Sequence, residues 1–288
     1  MNLQDGDVVM KPANKAQRVS RLTRPGITGV RVLPAVLIIC MLIMSCGVHG
    51  AGLTAKEVLD EVEGTVLLVG SGSAKIELIT ESKRGQQRSN TLQIYRKEDA
   101  DDTEKQLLEY LQPADVAGTK LLSITKPDGK DSEIWLFLPA LGKERRIAAQ
   151  EMQTKFMGTD FTYEEISGTA AYKEDYESKR LDDDTFDGHK CYVLQLTPKG
   201  KSEYTFVKMW VWQDEFIPVK IEFYGRGDKL RKSLDTSGWK KNAKDKWELA
   251  QVVMSDAIAG TKTIIKIMET SDADVPDDYF TVRYLRRR

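Results

Sequence analysis

The feature that most constrains this chain is a long succession of short β-rich stretches with little between them but turn residues. Stretches of alternating hydropathy, or rich in β-branched and aromatic residues, occupy roughly 74–82, 88–97, 104–111, 118–126 and 132–139, then 172–182, 188–197, 203–213, 216–224, 228–235, 246–256 and 260–269. Their separators are turn chemistry: Lys126-Pro127-Asp128-Gly129, Phe186-Asp187-Gly188, Pro198-Lys199-Gly200 and Tyr224-Gly225-Arg226-Gly227. Links this short reverse a strand but cannot hold a crossover helix, so the strands run antiparallel. No β-α-β alternation is present, which excludes a doubly wound nucleotide-binding sheet. An antiparallel meander with this many members curls into a barrel or half-barrel, and the expected class is mainly β (α+β).

Two segments precede the strands. A basic stretch ending at Arg31 leads into the apolar run Val32–Met44, followed by the small residues Ser45, Gly47 and Gly50. That order is the n-region, h-region and cleavage site of a secretory signal peptide, the run being short for a bilayer span. Cleavage before Ala51 divides the chain into a signal peptide with a long n-region, 1–50, and a single domain, 51–288, located in the periplasm. Acylation of Cys46 would instead tether the body, although Ile43-Met44-Ser45 fits a lipobox less well. Thr54 followed by Glu57 forms a capping box, and Val58, Leu59 and Val62 recur at helical spacing, so a short amphipathic helix spans 54–63.

Composition limits the chemistry. The chain has 2 His and 3 Cys. His49, Cys40 and Cys46 lie in or beside the apolar run, which leaves the body only His189 and Cys191. A disulfide within the body and a His/Cys zinc site are both excluded, and any triad has a single imidazole to use. His189 and Cys191 sit on one face of a hairpin strand with no oxyanion loop in sight, so no catalytic residue is expected. Asp182-Asp183-Asp184 lacks the glycine and terminal glutamate of a calcium loop, and Gly70-Ser71-Gly72-Ser73 precedes a strand rather than a helix. Neither metal nor cofactor is expected. The charges, 43 Lys+Arg against 44 Asp+Glu, balance to −1. The n-region takes a positive share, so the body is mildly acidic and has no electrostatic footprint for nucleic acid or for an anionic lipid surface.

The stretch 140–171 interrupts the meander. A connection this long, carrying Phe156, Met157, Phe161, Tyr163 and Ile166, reads either as a lid or as a structural crossover. Gly158 can supply its sharp turn, and Asp160 or Thr159 can cap a short helix holding Tyr163 and Ile166. Several strands are apolar on both faces. In 204–212, Tyr204, Phe206, Trp210 and Trp212 alternate with Val207, Met209 and Val211, and Ile217, Val219, Ile221 and Phe223 continue in register on the next strand. Two apolar faces need two coverings, one of which can be packed core or an apolar ligand.

Three motifs carry a family resemblance: Trp135-Leu136-Phe137-Leu138-Pro139-Ala140, Arg145-Arg146-Ile147, and Phe156-Met157-Gly158-Thr159-Asp160-Phe161-Thr162-Tyr163-Glu164-Glu165. With the opening helix and the closing Phe280-Thr281-Val282-Arg283-Tyr284-Leu285, the body resembles the bacterial outer-membrane lipoprotein-sorting family, the LolA-like periplasmic carriers. The resemblance implies a curved antiparallel half-barrel sheet, covered by short helices and enclosing an apolar cavity for acyl chains. It implies a non-enzymatic carrier of lipoproteins or lipids, with an inner-membrane exporter and an outer-membrane acceptor as partners. The alternative is an envelope sensor or interaction protein on the same scaffold. Trp135, Phe137, Met209, Trp210 and Phe223 are expected to wall the cavity. Phe156, Met157, Gly158, Asp160, Phe161, Tyr163 and Ile166 are expected to form its lid. In the family an arginine holds the lid through backbone carbonyls, and neither Arg145 nor Arg146 matches it residue by residue.

Overall fold

The computed structural model describes residues 52–62, 71–126, 132–168, 172, 175–242, 245 and 247–287. The expected signal peptide and Cys46 lie outside them. The first element is α1 (Ala55–Glu61). Thr54 Oγ1 accepts from the Glu57 amide at 3.2 Å while Glu57 accepts from the Thr54 amide at 2.7 Å, so the box satisfies two amides that the helix itself cannot. Its Ala55, Val58 and Leu59 face the core.

The strands follow in two runs. The first comprises β1 (Gly72–Glu81), β2 (Gln87–Glu98), β3 (Glu104–Gln112), β4 (Lys120–Thr125), β5 (Glu133–Leu138) and β6 (Lys143–Arg146). A connecting segment holds the short helix α2 (Tyr163–Ser167). The second run comprises β7 (Tyr176–Arg180), β8 (Asp184–Phe186), β9 (His189–Pro198), β10 (Phe206–Trp212), β11 (Pro218–Gly225), β12 (Lys229–Ser237), β13 (Lys240–Lys241), β14 (Trp247–Glu248), β15 (Gln251–Asp256) and β16 (Thr261–Ser271). Every expected stretch holds a strand. Sequence reading missed β6, β8 and β13, which are short and carry no hydrophobic alternation: β6 is Lys-Glu-Arg-Arg.

One antiparallel sheet runs β6-β5-β4-β3-β2-β1-β16-β15-β12-β11-β10-β9-β7, with β8 on β9 and a separate β13–β14 ribbon. Two meanders are thus joined where β1 pairs with β16, Leu78 opposite Ile265. β6 and β7 remain open edges, so the sheet is a curved half-barrel rather than a closed barrel. The segment between β6 and β7 connects the two edges across the inner face.

The hairpins obey their turn residues. Asp187 and Gly188 both have positive φ (48° and 82°), the geometry that lets a two-residue turn match strand twist. Bulges alter the expected faces. Between β10 and β11 the register slips, Trp210 facing Lys220 but Val211 facing Pro218, so Val219 is an extra residue. The slip turns Val219 to the outer face, with Trp210 and Trp212, whereas Ile221 and Phe223 face inward with Met209 and Val211. Tyr204 also packs inward, because it precedes β10 and escapes the strand's alternation.

The inner core joins α1, the connecting segment and both meanders, including Ile76, Leu92, Leu108, Leu196 and Met254. The outer face of β3–β5 is covered by the C-terminal segment, where Val275, Phe280 and Leu285 pack with Leu107 and Leu122. Arg286 fixes that segment to β6 through Glu144 at 2.8 Å, and this bond holds the Glu144 carboxyl down at about 2.

Candidate functional site

The segment from Ile147 to Ser167 lies on the inner face, and its sequence explains its shape. Lys155 bridges to Thr162, and the Thr159 amide donates to the Phe156 carbonyl at 2.8 Å across Met157 and Gly158. Both central residues have positive φ (46° and 78°). Gly158 takes this conformation freely, while for Met157 the left-handed region costs about 1–2 kcal/mol. The helix cap expected at Thr159 or Asp160 is instead Thr162, whose hydroxyl accepts from the Glu165 amide at 3.1 Å while Glu165 accepts from the Thr162 amide at 2.8 Å. Thr162-x-x-Glu165 is a complete capping box, and a lone Asp160 cannot compete with two reciprocal bonds. Gly168, at φ 71°, ends the helix in the left-handed conformation.

Freed from capping, Asp160 turns inward and is buried. Its carboxylate accepts from Thr261 Oγ1 at 2.6 Å, Thr263 Oγ1 at 3.0 Å and Lys155 Nζ at 2.8 Å, and its amide donates to Thr263 Oγ1 at 2.8 Å. Lys155 also reaches Asp256 at 2.9 Å. Burial works against the Lys155 charge, but the hydrogen bonds to Asp160 and Asp256 outweigh it and raise its pKa. A second anchor is Lys232, buried on β12, which donates to both Glu165 oxygens at 2.8 Å. A third comes from the opposite meander. Gln106 donates to the Ile166 carbonyl at 2.9 Å and Ser123 to the Ser167 carbonyl at 3.1 Å. The segment is therefore fastened to both halves of the sheet. Arg145, on β6, also reaches the segment, donating to both Glu151 oxygens at 3.1 and 2.8 Å, whereas Arg146 pairs with Glu133 on β5.

Apolar groups fill the space beneath these anchors. Phe156 is 0% exposed and meets Tyr110 at 6.1 Å and Tyr163 at 5.4 Å between ring centroids. Phe161, Tyr163 and Ile166 are buried in the same cluster, together with Met209 and Phe223. Met157 stands apart at the turn, 37% exposed. The five residues expected to share one wall fall on two faces. Met209 and Phe223 belong to the same inner cluster as the segment; Trp135 and Phe137 lie under the C-terminal segment; Trp210 packs with Cys191, Val193 and Trp212. Strand parity separates residue 135 from 136 and 209 from 210, and the covering segments decide which face is inward. The polar anchors Lys232, Gln106 and Ser123 were not anticipated; Gln106 and Ser123 stand at inward positions beside leucines on β3 and β4, whereas the polar strand Lys229–Ser237 gives Lys232 no such signal.

His189 packs against Trp212 in a tilted arrangement, with ring centroids 3.9 Å apart. Cys191 is buried, its thiol donates to the His189 carbonyl at 3.3 Å, and burial pushes its pKa up, which disfavours the thiolate a nucleophile needs. Among the described residues no group of His, Cys, Asp or Glu is arranged to hold a metal ion, and no helix is long and apolar enough to cross a membrane. A cleft of about 1010 Å³ opens on the outer face, lined by Arg180, Asp182, Asp183, Asp184, Lys208 and Trp210. Its charged lining is unsuited to acyl chains, since burying those groups against hydrocarbon leaves them unsolvated.

A family model described as that of an uncharacterized protein matches residues 102–287. No curated protein matches the chain. Among solved structures, a domain described in terms of outer-membrane lipoprotein sorting, from Vibrio parahaemolyticus, is 26% identical, with a TM-score of 0.72 over 81% of this chain and 98% of that one. A DUF1329 family protein from Desulfovibrio piger is 24% identical, with a TM-score of 0.70 over 80% and 97%. A LolA superfamily protein from Nitrosomonas europaea is 22% identical, with a TM-score of 0.61 over 81% and 99%. The last two likenesses show a shared fold.

Proposed function

Since the chain belongs to the family of uncharacterized proteins whose model matches residues 102–287 and shares its fold with a LolA superfamily protein, we propose that it is a non-enzymatic periplasmic carrier that takes acyl chains of lipids or lipoproteins onto the inner face of its half-barrel. The observation that carries this reading is the Ile147–Ser167 segment, which puts an apolar cluster on the concave face yet is fastened by a few discrete polar anchors. Such a segment can leave as a unit. Its Phe156, Phe161, Tyr163 and Ile166 then exchange packing on Met209 and Phe223 for an acyl chain, which gains about 0.8 kcal/mol per buried CH₂. Met157, Gly158 and Asp160 complete the lid, as turn and anchor. The proposed route runs from an inner-membrane exporter to an outer-membrane acceptor, after signal-peptide removal near Ala51.

Native mass spectrometry of the protein recovered from expressing cells tests both parts. The expected species begins near Ala51 and carries phospholipid or acylated peptide. A chain still beginning at Met1 in the cytoplasm refutes export, and an acylated Cys46 replaces the free carrier by a tethered one. The inner face is closed by its own side chains, which favours one second reading, a sensor or interaction module. A ligand-free protein that takes up no lipid supports that reading against the carrier.

Binding of a fluorescent fatty-acyl probe tests the lid. Met157→Asp, at an exposed position, is expected to weaken retention strongly with an unchanged circular dichroism spectrum. Phe161→Asp puts a carboxylate into the core and is expected to lower retention and stability together. Unchanged retention in Met157→Asp would make the segment a structural crossover.

A further inference from the structure

Antiparallel pairing brings alternate turns to the same end of the sheet, and the turns at the two ends of this half-barrel differ in kind. One end gathers turns 82–86, 113–119, 139–142, 199–205, 226–228 and 257–260. Contacts confirm the gathering: a Cβ on Gly260 would lie 3.3 Å from Lys83, one on Gly118 would lie 3.3 Å from Pro139, and Arg88 pairs with Asp115 at 2.6 Å. The lid turn joins them, because Lys155 is bonded to Asp256.

Large exposed apolar side chains concentrate there. Leu141 (66% exposed), Ile258 (63%), Met157 and Leu230 project at this end, and among the described residues only Met268 of the exposed large hydrophobics lies well away from it. Around them stand Lys83, Arg84, Arg226 and Lys229, all exposed and, among the described residues, without an ion pair. Acidic residues at this end are partly neutralised, Asp115 by Arg88, Asp256 by Lys155 and Glu203 by Arg231, with Asp175 and Asp228 exposed. The opposite end has Asp99, Asp101 and Asp102 in the β2–β3 turn, Asp214 and Glu215 in the β10–β11 turn, and Asp182 and Asp183 before β8, which outnumber the exposed Lys126, Lys240 and Lys241 there. The near-zero total charge thus conceals a molecule that is basic and apolar at one rim and acidic at the other.

We propose that the basic rim is a docking surface for an anionic phospholipid membrane. Charge complementarity selects this occupant. Basic groups meet lipid phosphates while isolated apolar tips enter the interface, the division of labour that holds peripheral proteins on acidic bilayers. The acidic rim turns the molecule so that the basic one arrives first. Met157 fits the same use: a residue held at positive φ on the lid tip would sit at the bilayer surface, where an acyl chain enters or leaves. The inference goes beyond the carrier reading, and its test needs no cargo.

The test is flotation of the mature protein with vesicles of phosphatidylcholine, with or without phosphatidylglycerol, at low and high salt. Binding is expected only with phosphatidylglycerol, and it should fall as salt rises. The paired reversal Lys83→Glu with Arg84→Glu should weaken it on the order of tenfold. The reversal Asp99→Lys with Asp101→Lys at the far rim should not weaken it. Ile258→Trp should shift its emission to the blue on vesicles. Binding equal on both lipids, no binding at low salt, or equal losses from the two reversals overturns the proposal; no binding at low salt would leave the rim to an acidic protein surface. Acyl-probe retention that survives while vesicle binding fails separates this failure from failure of the carrier reading.

Discussion

Replacing Lys232 by Met is expected to cost about 3–5 kcal/mol of stability, because the Glu165 carboxylate would stay buried without its cation. Both side chains lie well inside, 8% and 10% exposed, and the ammonium bonds both Glu165 oxygens. Urea denaturation measures the loss. Lys232→Met with Glu165→Gln should recover most of it, since the amide strands no charge and still accepts from the Thr162 amide in the cap. The same substitution separates gating from stability. If the segment must leave the inner face before an acyl chain binds, a weakened latch raises the open fraction and tightens apparent probe affinity in proportion. Lower stability with unchanged probe affinity would mean that Lys232 holds the fold and does not gate the site.

The other large effect is expected at Phe156. Truncation to Ala removes a fully buried ring from between Tyr110 and Tyr163, and the cavity left behind should cost about 3–5 kcal/mol. Its neighbour Met157 is the contrast. Truncating that side chain removes exposed surface, and should change stability by no more than about 0.5 kcal/mol. Thermal unfolding of the pair decides the matter. Equal losses at adjacent positions would contradict the packing described here, in which only Phe156 reaches the inner core.

Much of the fold was legible because its signals are local. Asp187-Gly188 specifies a hairpin whatever surrounds it, and Thr54 with Glu57 starts a helix through bonds three residues apart. The motif Phe156–Glu165 was legible as a unit, and it is the covering segment of the inner face. Errors arose where the deciding contact was distant. Thr159 and Asp160 look like caps until Thr261 and Thr263, a hundred residues later, claim the Asp160 carboxylate. Trp135 and Met209 look like one wall until the C-terminal segment covers the first and the lid covers the second.

By itself, then, the sequence determined the strands, their turns, the antiparallel order they impose and the absence of a second imidazole in the body, since each follows from neighbours along the chain or from counting. Only the tertiary structure decided which strand face is inward. A bulge such as that at Val219 inverts the alternation, and a residue's two faces stay equivalent until another segment covers one of them. It also decided where the charges stand. The balance of 43 basic against 44 acidic side chains carries no direction. Direction appears only when antiparallel pairing sends Lys83, Arg84, Arg226 and Lys229 to one rim and the Asp99–Asp102 turn to the other, because an electrostatic field depends on where charges lie and not on their sum.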